Sequence, residues 1–298
     1  PEVLEAAVAA IRDGANQYPP GDGIPSLRRA IAEHQRRFYG LDLDPDSEVL
    51  VTTGATEAIA AALLGLLDPG DEVVVFEPMF DTYAAGVAMA GAVVVPVLLA
   101  PDAQGRFRFD PDELTAAVGP RTRVILLNTP HNPTGKVFTA DEMDLLAETA
   151  RRHDLIVITD EVYEHLVFPG HRHVPMATLP GMAERTLTIS SAGKTFRTTG
   201  WKIGWVTGPT PLVTAVRTAK QYLTYVSGAP FQPAIAVGLA LDDAFFAGLG
   251  PDMADRAARL GEGLRAAGLV VHPPEATYFT TVDVRPLRPD GDGHAFCL

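Results

Sequence analysis

Lys194, Asp160, Tyr163, Asn132 and Ser191 supply an amine, a carboxylate, a phenol, an amide and a hydroxyl, and each falls at or within four residues of the end of an apolar run. An amine so placed can capture a carbonyl carbon covalently and carry protons to and from it. A carboxylate can hold a protonated nitrogen, while a phenol and an amide can hydrogen-bond an oxygen. Gly54-Ala55-Thr56 also follows an apolar run and opens a helical pattern, where free N–H groups and the helix dipole suit a phosphate-like anion. Phe80, in Glu77-Pro78-Met79-Phe80, offers a flat face to an aromatic ring. Singly, each has an ordinary explanation: a solvated lysine, a helix N-cap at Asp160, core aromatics at Tyr163 and Phe80, a tight turn at Gly54. Their placement at successive chain reversals is what argues for a shared site.

The elements that must position them can be read from periodicity. Short β-branched or apolar runs predict strands at 49–53, 72–76, 92–99, 124–128, 155–160, 186–191 and 203–206. Helical patterns separate them at 56–67, 141–153 and 211 to about 221. The strands are almost continuously apolar, the pattern of strands buried on both faces by helices. That includes the longest apolar stretch, 87–100, which carries Pro96 and reads as buried structure. The expected fold class is α/β, with a mainly parallel sheet of about seven strands sandwiched by helices. Ligands of such sheets bind beyond the carboxyl ends of the strands, which is where the residues above fall. Residues 15–235 are expected to form the large domain, with 1–14 and 236–298 contributing to a smaller α/β domain, incomplete at both ends.

The set meets each functional group of pyridoxal 5′-phosphate: a phosphate, a pyridine nitrogen, a phenolic oxygen and an aldehyde. Lys194 is the candidate for the Schiff base and Asp160 for the pyridine nitrogen. Tyr163 and Asn132 are candidates for the phenolic oxygen, Gly54, Ala55 and Thr56 for the phosphate, and Phe80 for stacking on the ring. The formal net charge of -13 argues against nucleic-acid binding, and no run reaches the roughly 18 apolar residues of a membrane span. A single cysteine, Cys297, excludes a disulfide framework and fits a reducing cytoplasm. Ser191-Ala192-Gly193-Lys194 also fits an S-x-x-K nucleophile motif, but its companion S-D-N and K-T-G sequences are absent. Gly21-Asp22-Gly23 lacks a preceding strand, and His171-Arg172-His173 reads as a surface loop without a further ligand at metal-site spacing.

Six ordered motifs now identify a family. They are Asn16-Gln17-Tyr18; Thr53-Gly54-Ala55-Thr56-Glu57; Glu77-Pro78-Met79-Phe80-Asp81; Asn128-Thr129-Pro130-His131-Asn132-Pro133-Thr134-Gly135; Asp160-Glu161-Val162-Tyr163; and Ser191-Ala192-Gly193-Lys194-Thr195-Phe196 with Gly200-Trp201-Lys202. The sequence resembles the class I/II aminotransferases of fold type I, in the branch holding kynurenine and N-succinyldiaminopimelate aminotransferases. The resemblance implies that Lys194 forms the Schiff base and shuttles the proton, and that Asp160 pairs with the pyridinium. It makes Asn132 a contact of the substrate carboxylate as well as of the cofactor. Ala55, Thr56, Ser191 and Lys202 become phosphate ligands, Lys202 standing where many relatives carry arginine, which keeps the charge and loses a bidentate fork. Tyr18 resembles a tyrosine that reaches a neighbouring subunit's phosphate, so a homodimer with shared active sites is implied. A cis Asn132–Pro133 bond is implied too. The family's carboxylate-binding arginine lies well over a hundred residues beyond the lysine, whereas Leu298 is 298 − 194 = 104 residues beyond Lys194. Arg285 is in the wrong context to replace it. The implied reaction moves an amino group from an amino acid, of the N-succinyldiaminopimelate, kynurenine, methionine or aromatic type, to a 2-oxo acid such as 2-oxoglutarate. A C–S β-lyase begins with the same Cα deprotonation and is the alternative reading, beside a cofactor-binding protein without turnover.

Overall fold

The computed structural model describes residues 1–226 and 228–297, so Leu298, the end of the expected small-domain range, lies outside the described residues. Seven strands form one sheet: β1 (Val49–Thr53), β2 (Glu72–Glu77), β3 (Val93–Leu98), β4 (Thr122–Asn128), β5 (Ile156–Asp160), β6 (Thr186–Ser191) and β7 (Ile203–Thr207). Their spatial order is β1-β7-β6-β5-β4-β2-β3. All neighbours pair in parallel except β7, which runs antiparallel to both β1 and β6. The carboxyl ends of β4, β5 and β6 therefore emerge side by side at one edge.

Side chains alternate across the sheet because successive Cβ atoms point to opposite faces. Val73, Val75, Leu126, Ile158 and Ile189 pack under α3 (Gly54–Leu66), α4 (Asp81–Met89) and α8 (Thr210–Lys220). Val74, Phe76, Ile125, Leu127 and Val157 pack under α5 (Pro111–Ala117) and α6 (Ala140–Arg152). The central strands are thus apolar on both faces, as their runs predict. β3 departs from that expectation. It pairs only with β2, and Val93 and Leu98 are about half exposed at 50% and 52%. Pro96 lacks the N–H a central strand would need, so an edge position suits it. α1 (Glu2–Arg12) and α2 (Pro25–Tyr39) pack against α9 (Gln232–Leu239), and α10 (Asp243–Ala266) leads to the segment 270–283. No single helix among the described residues is long and apolar enough to cross a membrane.

The turn after β5 carries a buried polar cluster. Glu164 accepts from Tyr39 at 2.6 Å and from Ser190 at 2.7 Å, and the facing Nε2 atoms of His34 and His165 lie 2.7 Å apart. His173 is buried against Glu161 at 2.9 Å, so the 171–173 segment is not wholly a surface loop: its last residue turns inward to meet a carboxylate. Burial pushes Asp160 up to about 6 and Glu164 up to about 7. It pulls His34 and His131 down to about 3, and His165 well below its ordinary value.

These shifts have opposite signs in stability. Each imidazole binds a proton in the unfolded chain below about 6.5 and stays neutral when folded, so its contribution is lost as pH falls. The two carboxyls keep their protons to higher pH when folded, so they favour the folded state as pH falls from about 7 toward 4. Three imidazoles outnumber two carboxyls, so the net effect is a loss of stability as the pH falls. The unfolding temperature should therefore drop between pH 7 and pH 5, and drop more steeply in Glu164→Gln. Calorimetry showing a flat or rising profile would refute this balance.

Candidate functional site

A cavity of about 360 Å³ opens at the carboxyl ends of β4, β5 and β6. Of the eleven residues predicted from sequence, ten line it; Tyr18 is the exception, 82% exposed and edge-to-face with Tyr225 at 5.9 Å. Asp160 ends β5 on the cavity floor, 4% exposed. Its Oδ2 accepts from Tyr83 Oη at 2.8 Å and its Oδ1 from the Val162 N–H at 3.3 Å. The second contact is the turn-capping role expected of an aspartate at a strand end; here no helix follows, and Tyr163 sits in a turn instead. Burial raises the Asp160 carboxyl, while the Tyr83 hydroxyl, the Val162 amide and the charge of Lys194 oppose the rise.

Asn128 ends β4 and ties the neighbouring turns together. Its Nδ2 donates to the Asp160 carbonyl at 2.8 Å, and its Oδ1 accepts the Asn132 N–H at 2.6 Å. Asn132 is thereby held at the cavity wall, and the bond to Pro133 is cis as the resemblance implies. Gly135 closes this loop at φ +69°, where a Cβ would stand 2.9 Å from Pro274 and 3.0 Å from the Ala276 carbonyl. Only glycine admits that approach without displacing the backbone of the C-terminal segment.

Ser191 ends β6 and leads into the single turn Ala192–Thr195, which carries Lys194. Lys194 Nζ donates to Tyr278 Oη at 2.8 Å and lies 5.6 Å from the centre of the Tyr163 ring. Tyr163 is buried, and burial drives its hydroxyl well above the ordinary phenol range. Phe80 precedes α4 and meets Tyr83 edge-on at 5.7 Å. α3 begins at Gly54 itself, two residues before the predicted start. Lys202, in a left-handed conformation at φ +56°, brings Cε and Nζ to 3.3 Å from where a Gly54 Cβ would stand. An ammonium held against a helix N-terminus sets positive charge beside positive charge, and an anion between them relieves it.

This polarity is the test of whether the residues fit pyridoxal phosphate, and they do. The cavity gathers Lys202 and the N–H groups that open α3, the Ser191 hydroxyl, the buried Asp160 carboxylate and the Lys194 amine. Across all of residues 1–297 the chain matches the model of the aminotransferase class I and II family. The chain belongs to the class I and II aminotransferases. A solved structure of N-succinyldiaminopimelate aminotransferase from Mycobacterium tuberculosis shares 56% identity and a TM-score of 0.97, with 100% of this chain and 77% of that one covered. A methionine aminotransferase structure from Escherichia coli gives 38% identity and a TM-score of 0.90, covering 95% and 73%. Kynurenine–oxoglutarate transaminase 3 of Rattus norvegicus is 40% identical over 96% of this chain and 66% of its own length. The chain is a pyridoxal-phosphate-dependent aminotransferase, and its fold is that of these neighbours.

Three residues of this aminotransferase site escaped the sequence reading of roles. Tyr83 lies within a helix with no strand-end signal, Asn128 is one of the strand-end amides but without an assigned role, and Tyr278 lies 278 − 194 = 84 residues from the lysine it meets. Arg285 stays outside the cavity, forked onto its near neighbour Asp283. Removing the Tyr83 hydroxyl should let Asp160 rise further. Tyr83→Phe is expected to move the acid limb of the activity–pH profile upward by about one unit, the equivalent of one net hydrogen bond. An unmoved limb would show that Tyr83 does not govern the carboxylate.

Proposed function

We propose that Lys194 is the residue that bonds pyridoxal phosphate and moves the substrate proton. The observation carrying this is the set of charged groups gathered in one cavity: Lys202 against the α3 N-terminus, the buried Asp160 carboxyl, and Lys194, whose charge acts on that carboxyl. Bound there, the cofactor supplies an electron sink for charge developing at the substrate Cα. Asp160 would keep its pyridine nitrogen protonated, so that the sink is strong. Ala55, Thr56, Ser191 and Lys202 would hold the phosphate, Gly54 allowing the close approach. Phe80 would cover one ring face, while Tyr163 and Asn132 would hold the phenolic oxygen. Asn132 would also orient the substrate carboxylate. Lys194 Nζ would carry the proton away from the substrate Cα and release it again, which would commit the amino group to transfer.

The donor best supported is N-succinyldiaminopimelate, on the 56% identity to an enzyme named for it. Kynurenine, methionine and aromatic amino acids are the next to try, and 2-oxoglutarate is the proposed acceptor, in a two-half-reaction ping-pong scheme. The exposed Tyr18 and Tyr225 pair fits a surface that meets a second subunit, so the working unit is proposed to be a homodimer, and the single cysteine supports a proposed cytoplasmic location.

Lys194→Ala should lose covalent retention of the cofactor and at least about 10⁴ of turnover. Asp160→Ala should keep some cofactor but lose most of the Cα deprotonation rate. Assays with each donor and 2-oxoglutarate, beside denaturing mass spectrometry after borohydride reduction, read both effects. Activity retained in Lys194→Ala would refute the assignment.

A further inference from the structure

Lys194 has two conditions in the proposed scheme: bonded to the cofactor, and free while it moves the proton. A free lysine side chain samples many rotamers, so something must aim it. In this structure the free amine is held. Lys194 Nζ donates to Tyr278 Oη at 2.8 Å and lies 5.5 and 5.6 Å from the ring centres of Tyr278 and Tyr163. The two hydroxyls are 3.5 Å apart, and the rings meet nearly edge-on at 80°. An oxygen acceptor plus two aromatic rings within reach of the nitrogen suits an ammonium as well as an amine.

Tyr278 is fixed from beneath. The Glu275 N–H donates to the Gly135 carbonyl at 2.9 Å, and the Glu275 carbonyl accepts the Phe168 N–H at 2.9 Å. Ala276 bridges to Val167, and both it and Thr277 are fully buried. Thr277 sits at φ +71°, a costly region for a β-branched residue, while its N–H donates to the Leu166 carbonyl and its Oγ1 accepts the Phe279 N–H. These bonds join the segment to the 131–135 loop and to the turn carrying Tyr163. The strained backbone at Thr277 is what turns Tyr278 into the cavity.

We propose that Tyr278 is a positioning residue for the free form of Lys194: its hydroxyl receives Nζ whenever the bond to the cofactor is open and aims it for proton transfer. This rests on the reading of Lys194 as the proton-moving amine. The Cα–H bond would break with its electron pair drawn into the bound cofactor's electron sink, an N–H bond would form on Nζ, and Nζ would give that proton up again as the amino group moves.

The test is Tyr278→Phe, a conservative change at a half-exposed side chain. Two readouts are compared with the unmodified protein. The first is the rate at which cofactor-free protein captures added pyridoxal phosphate on Lys194, followed by absorbance and by mass after borohydride trapping. The second is the single-turnover rate with L-glutamate and with its α-deuterated form. Tyr278→Phe should form the same adduct about threefold or more slowly, and deprotonate Cα about tenfold or more slowly with a larger deuterium effect and an unchanged KM, the signature of misplacement. An adduct that forms at the original rate, with the deprotonation rate and isotope effect unaltered, would overturn the role of Tyr278 alone. Absence of any adduct on Lys194 in the unmodified protein would overturn the functional reading and this inference with it.

Discussion

The site is organised around one buried carboxylate. Asp160 ends the strand at the middle of the sheet, almost out of contact with water. Moving its carboxyl from 3.8 to about 6 corresponds to about 3 kcal/mol against the ionised form. Burial of a charge is tolerated when it is met by donors and by opposite charge. The Tyr83 hydroxyl and Val162 amide supply the first, and Lys194 supplies part of the second. The rest of the second is what a protonated ring nitrogen would provide, so the cost left in the protein becomes affinity for a cationic group.

The surrounding architecture serves that arrangement. Parallel strands deliver their carboxyl ends together, so three consecutive turns can each contribute a polar residue to one cavity. Asn128 links two of those turns through two hydrogen bonds. Gly135 lets the C-terminal segment close onto the loop. At the far end, Lys202 against the α3 N-terminus repeats the strategy with the sign reversed. Each pole of the cavity is uncomfortable alone, and one molecule with an anionic end and a cationic end satisfies both.

How much of this the sequence discloses depends on range. Strand ends and the residues that follow them are local, so Asp160, Ser191, Lys194 and Gly54 could be placed from periodicity and spacing. The strand bounds 49–53 and 186–191 match, and the other five differ by one or two residues at an end, because β-branched runs mark a strand better than its last residue. The run 93–98 is as apolar as the central strands, and Pro96 is the one local sign of the edge position that the topology shows. His173 looked like loop surface because its partner Glu161 sits across a turn. Tyr83 and Tyr278 reach the site from helix and segment positions far along the chain, and no local pattern marks a long-range contact of that kind.

The pairing of Asp160 with a protonated ring nitrogen is the centre of this account, and nitrogen NMR reads it most directly. Pyridoxal phosphate labelled with ¹⁵N in the ring would be bound to the unmodified protein and to Asp160→Asn, and its resonance followed from pH 6 to pH 9. The account predicts a protonated nitrogen throughout that range in the unmodified protein, and an unprotonated one in the variant. A nitrogen that is unprotonated at pH 8 beside an intact Asp160, or protonated equally in both proteins, would contradict it.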